Sequence, residues 1–113
     1  MTDRELLELA GSALAREVAF DRSTDRFLVE DEFGVVSVPW NPLTDDGDAL
    51  RLAVKLRLLI GSTDRNEAWV QFYLNGNRPA GYTTVKESHG DDPYAATRRA
   101  IVRAAAEIGR GIA

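Results

Sequence analysis

Apolar residues recur along this chain at two spacings, and the changes between them divide it into elements. Leu6, Leu9, Ala10, Ala13 and Leu14 follow one another at helical intervals and mark one apolar stripe. Thr2-Asp3-Arg4-Glu5 precedes them as a capping box, with the Thr2 hydroxyl placed to accept from the Glu5 amide while Glu5 reaches back. A first helix is expected over residues 3–17. Gly11 costs such a helix about 1 kcal/mol relative to Ala, so a close contact with another element is expected to justify it. Residues 20–26 are polar and broken and read as a loop. Phe27-Leu28-Val29 and Val35-Val36-Ser37-Val38 read as short strands, the second β-branched as strands prefer. The turn between them, Asp31-Glu32-Phe33-Gly34, ends on a residue free to take positive φ. Pro39 cannot donate to a ladder and belongs at a strand end or sheet edge.

The stretch Trp40-Asn41-Pro42-Leu43-Thr44-Asp45-Asp46-Gly47-Asp48 leads into a second helix, expected over residues 45–60. Thr44 or Asp45 caps it, and Asp46 and Asp48 suit the positive end of its dipole. Ala49, Leu52, Ala53, Leu56 and then Leu59 or Ile60 line one face. Leu50, Val54 and Leu58 widen that stripe, which predicts a deeply buried helix, while Arg51 and Lys55 mark its wet side. Gly61 is placed to close it in a left-handed conformation.

From Trp69 to Leu74 the period becomes two: Val70, Phe72 and Leu74 on one face, Trp69 and Tyr73 on the other, both apolar enough to require cover. Asn75-Gly76-Asn77 is a hairpin signal and Tyr82-Thr83-Thr84-Val85-Lys86 the return strand. Asp92 as N-cap and Pro93 at the first helical position start a third helix. Its expected buried stripe is Tyr94, Thr97, Ile101, Ala104, Ala105 and Ile108. Arg103 is placed to pair with Glu107, and Gly109 and Gly111 are expected to end the helix. The order is αββαββα: one α+β domain over residues 1–113, with a mainly antiparallel sheet from hairpins at 27–38 and 69–87 and helices two and three packed on it.

Composition narrows the functions open to this fold. The chain has no cysteine, which excludes disulfides, thiol catalysis and cysteine-ligated zinc. Its net charge of −4 argues against holding duplex DNA by its phosphates. No apolar run approaches the roughly 18 residues of a membrane span, and the first residues lack the order of a signal peptide, so a cytoplasmic protein is expected.

Asp45, Asp46 and Asp48, with Asp91 and Asp92, are candidate ligands for a divalent cation, but they lack the spacing of a calcium loop, and acids at helix starts are commonly caps. No metal site and no cofactor is expected. His89, the single histidine, is a candidate general base beside Asp91; a turn residue is the plainer reading. With no nucleophile elbow, phosphate loop or dinucleotide fingerprint, an enzyme is not expected. Trp40, Trp69, Tyr73 and Tyr82 are read as core aromatics rather than base-stacking platforms. Arg98, Arg99 and Arg103 are read as a solvated, ion-paired face rather than a phosphate seat.

Three segments carry a resemblance. Residues 3–10 (Asp3-Arg4-Glu5-Leu6-Leu7-Glu8-Leu9-Ala10), residues 40–56 and residues 89–104, from His89-Gly90-Asp91-Asp92-Pro93-Tyr94 onward, look like small proteins encoded by tailed phages and prophages. The chain resembles the phage α-β-α sandwich group. The resemblance implies a setting in the host-cell cytoplasm and supplies no catalytic residues. It favours a non-enzymatic accessory protein that binds a host or phage protein. A small nucleotide-binding sponge in anti-defence, using helix N-termini and Arg as anion seats, is the alternative, and a homodimer with a pocket between protomers would favour it. A metal-dependent nuclease or hydrolase built on the acids is the third reading. Any contact region is expected at the two polar helix starts, residues 40–51 and 89–99: Trp40, Asn41, Asp45, Asp46, Asp48, Arg51, His89, Asp91, Tyr94, Arg98 and Arg99. Their acids suit a neutral or basic partner group better than free phosphate.

Overall fold

The computed structural model describes residues 1–14, 18–63, 65–73 and 81–112, with only the backbone of Ile112. The element order is α1 (Asp3–Ala13), β1 (Val18–Asp21), β2 (Arg26–Glu30), β3 (Val36–Trp40), α2 (Asp46–Lys55), β4 (Leu59–Ser62), β5 (Glu67–Phe72), β6 (Thr83–Ser88) and α3 (Pro93–Ile112). This is an α+β fold with two three-stranded sheets, ordered β1-β2-β3 and β4-β5-β6. Every pairing is antiparallel, including both expected hairpins. The turn expected at Asn75-Gly76-Asn77, with Leu74, lies outside the described residues.

Two strands were not expected, and each corrects a reading of the sequence. Part of the stretch read as a loop is β1, where Phe20 faces Phe27 across the ladder. The second helix ends at Lys55, and residues 59–62 leave it to become β4. The stop is made without glycine. Arg57 takes φ 56°, its N–H donates to Val54 O at 3.2 Å, and the Leu58 N–H donates to Ala53 O at 3.0 Å. Those two bonds form the Schellman closure that normally places Gly at the left-handed position. Gly61 sits instead inside β4, opposite Trp69.

Capping follows the sequence closely. The Glu5 N–H donates to the Thr2 hydroxyl at 3.1 Å, and that hydroxyl donates to the Glu5 carboxylate. Asp45 caps α2 by accepting from the Asp48 N–H at 2.8 Å. Asp92 caps α3, accepting from the Tyr94 and Ala95 amides at 3.0 and 3.1 Å. Pro39 lies next to the end of β3, at the edge of the first sheet.

The long helix α3 organises the interior. It runs along α1, packs on β5 and β6, and meets α2. Ala100, Ile101, Val102, Ala104, Ala105 and Ala106 are buried on it, and Leu6, Leu7 and Ala10 from α1, Phe27, Val29 and Trp40 from the first sheet, and Val70, Phe72 and Val85 from the second join the same cluster. The small alanines let the helices approach closely. Gly109 does not end α3: its missing side chain leaves room for Leu9, and a Cβ there would fall 1.8 Å from the Leu9 carbonyl oxygen. Gly11 has the contact expected of it, since a Cβ would meet Val18 at 3.0 Å. Tyr94, expected in the buried stripe, is exposed. Arg103 pairs with Glu87 on β6 rather than with Glu107, which pairs with Arg110 at 3.4 Å.

Candidate functional site

The two polar helix starts do come together, and they do so by binding each other. Arg98, on the first turns of α3, donates from Nε to the Leu43 carbonyl at 2.8 Å and from Nη1 to Asp46 at 2.6 Å. Its guanidinium stem is mostly buried, so this fork ties the loop before α2 to α3. Asp48 turns back as well. It accepts from the Asn41 N–H at 2.9 Å and from Arg51 at 2.8 Å. Asn41 in turn holds the turn after β3, its side-chain oxygen accepting from the Leu43 N–H at 3.0 Å. Arg99 reaches Asp3 at the start of α1, at 3.1 Å.

Asp45, Asp46, Asp48, Arg51, Arg98, Arg99 and Asn41 thus spend their polar atoms on internal bonds. Asp91 and Tyr94 are exposed. The His89 Nε2 is buried with no hydrogen-bond partner among the described residues, so Asp91 does not prime that nitrogen. Among the described residues no three His, Cys, Asp or Glu side chains converge on a cation-sized space. Trp40 is core. It is buried and stands edge-on to Phe27 at 6.5 Å, with Phe20 next in line. A shallow groove of about 340 Å³ runs over Pro39, Asn41, Thr44 and Asp45, and another of about 310 Å³ lies between β3 and α2, lined by Val38, Trp40, Leu52 and Lys55. Both are open clefts with no convergent set of unpaired donors among the described residues.

The aromatics of the second sheet behave differently from Trp40. Ala68, Val70 and Phe72 point into the core, while Trp69, Gln71 and Tyr73 lie on the opposite face, half-buried. The ring of Trp69 lies over Gly61, where a Cβ would come within 2.2 Å of it. Tyr73 and Tyr82 meet edge to face at 6.0 Å, Tyr82 mostly exposed. α3 packs on β5 and β6, and the buried residues of β5 are those of the other face, Ala68, Val70 and Phe72.

The surface that sequence reading missed lies on α2 and β4. Leu50 and Val54, expected to be buried, are 61% and 69% exposed; Leu59 and Ile60, expected on the buried face of a longer helix, are 53% and 39% exposed. Leu50 and Val54 stand one turn apart on the same face, and β4 follows after only three residues. The signal was present: an apolar stripe too wide for a helix with one partner. Phe33 and Val35 are also exposed, but at the tip of the β2–β3 turn.

No family model matches this chain, and neither does any curated protein sequence or solved structure.

Proposed function

We propose that this chain is a non-enzymatic accessory protein that binds a host or phage protein through the outer face of α2 and the adjoining strand β4. The exposure of Leu50, Val54, Leu59 and Ile60 carries this reading. Four large apolar side chains on two consecutive elements are a cost to a free monomer and an anchor for a partner. The polar candidates support it from the other side, because each helix N-terminus is filled by its own cap and the nearby arginines by neighbouring carboxylates. A nucleotide would have to displace those internal ligands. The phage or prophage setting, in the host cytoplasm, rests on the resemblance of residues 3–10, 40–56 and 89–104.

The test is affinity capture from host lysate with the wild-type chain and with a Leu50→Glu, Val54→Glu double variant. Its companion is an Asp46→Ala, Arg98→Ala double variant, and the melting temperatures are matched beforehand or the difference recorded. The reading expects a captured protein that the first pair loses and the second keeps. Loss only with the second pair would return the site to the helix starts. A co-purifying nucleotide in place of a protein would favour the sponge.

A further inference from the structure

We infer that β4 receives an extended segment of the partner protein as an added strand, and that this segment carries apolar residues flanked by acids. The inference rests on the preceding reading of the surface and names the kind of partner it takes.

The backbone supplies the first part. Thr63 N–H donates to Glu67 O at 2.9 Å, which continues the β4–β5 register beyond Ser62↔Ala68. In an antiparallel ladder, residues that exchange bonds with the neighbour alternate with residues whose N–H and C=O point the other way. Leu59, Gly61 and Thr63 therefore bond to β5. Ile60 and Ser62 aim theirs out of the sheet, and no described residue takes them.

The other three sheet edges are blunted. The outward carbonyl of Lys86 on β6 accepts from Arg103 at 2.9 Å, and that strand also carries Glu87. Strand β3 holds Pro39 and lies across a bulge at Val29/Glu30. Strand β1 lies against α1, with Arg4 over the Phe20 ring at 4.1 Å. Among the described residues only β4, Leu59-Ile60-Gly61-Ser62, has neither charge, proline nor cover, the state that natural edges avoid unless the edge is used.

Charge chooses the occupant. Lys55 and Arg57 precede β4 and Arg65 follows it, all exposed and none within ion-pair distance of a carboxylate among the described residues, whereas Arg51, Arg98, Arg99, Arg103 and Arg110 each have one. Acids at both ends of an incoming strand complement these cations. A second copy does not: the antiparallel register that uses both Ile60 and Ser62 of each protomer is centred on Gly61 and brings Arg57 of one toward Arg65 of the other. Like charges placed opposite one another disfavour that pairing.

The test uses a fluorescent, end-blocked peptide, Glu-Asp-Val-Thr-Val-Thr-Val-Asp-Glu, and its counterpart with every acid replaced by Lys, read by fluorescence polarisation at low salt. The acidic peptide is expected to bind at least tenfold more tightly than the basic one. Ile60→Pro removes an outward N–H while keeping the β5 bonds, so it is expected to weaken binding at least tenfold with the circular dichroism spectrum unchanged. Ser62→Pro does the same at the second outward position and serves if Ile60→Pro fails to fold. Arg57→Gly is expected to weaken binding severalfold. The inference is overturned if neither peptide binds, if both bind equally, or if both proline variants fold and still bind. It is also overturned if the wild type sediments as a dimer that Ile60→Pro dissociates. A captured partner that Leu50→Glu, Val54→Glu loses but Ile60→Pro keeps would remove the added strand and leave the proposed function standing.

Discussion

Single residues near the expected contact region hold the chain together before they do anything else. Asp48 illustrates this. Its carboxylate satisfies the half-buried Asn41 N–H and pairs with Arg51. Asp48→Ala leaves that N–H without its acceptor, and a stability loss of about 1–3 kcal/mol is expected in chemical denaturation. A loss below about 0.5 kcal/mol, the level of ordinary surface substitutions, would mean that water replaces the carboxylate. Asp21 serves the β1–β2 turn in the same way. It accepts from the Thr24 hydroxyl at 2.6 Å and from Ser23, and these bonds hold its pKa below the ordinary 3.8. A depressed carboxyl adds stability at pH values above its unfolded pKa and loses it as pH falls through the folded value. Thr24→Val is therefore expected to move the Asp21 titration, followed by NMR, upward toward 3.8, with its effect on stability present at neutral pH and vanishing in acid. An Asp21 curve that does not move would rule out the hydroxyl as the principal cause.

At the scale of elements, the chain's caps and hairpins were legible and its stops were not. Asp92-Pro93, Thr2 with Glu5, and Asp45 each act through bonds within a few residues, so their spacing in sequence is their spacing in space. The ends of α2 and α3 depend on contacts made elsewhere. Residues 56–62 keep a helical apolar pattern, yet Arg57 accepts the left-handed position and releases β4 into a sheet with β5. A left-handed non-glycine residue costs about 1–2 kcal/mol, and Gly gives back part of the gain as chain entropy. Arg57→Gly is thus expected to raise stability by about 0.5–1 kcal/mol in equilibrium denaturation; a loss would show that the arginine side chain contributes a bond of its own. Gly109 is the converse case. Ala is the better helix former by about 1 kcal/mol, but here its Cβ would meet the Leu9 backbone. Gly109→Ala is expected to lower stability by about 2–3 kcal/mol, because backbone cannot move aside as a side chain can. A melting temperature at or above wild type would show that α1 and α3 separate freely. The exposed apolar face of α2 was hidden for a related reason. Leu50 and Val54 look like core in any helical projection, and only the packing of α2 against α3 decides which apolar face is left over.

For the molecule as a whole, the proposal of a protein partner rests on charge and surface. The net charge is −4, and the arginines of α3 are matched by Asp46, Asp3, Glu87 and Glu107. Duplex DNA is expected not to bind at physiological salt in a mobility-shift assay; a salt-sensitive shift would make the cations around β4 the first suspects. No helix among the described residues is long and apolar enough to cross a membrane. On the proposed function, partner binding runs through residues 50–62 rather than through the helix starts. Amide hydrogen exchange of the chain, alone and with its captured protein partner, tests it most directly. Partner-induced protection is expected to concentrate on residues 50–62, with the Ile60 and Ser62 amides slowed most. Protection concentrated on residues 40–48 and 89–99, with residues 50–62 exchanging as in the free chain, would contradict it.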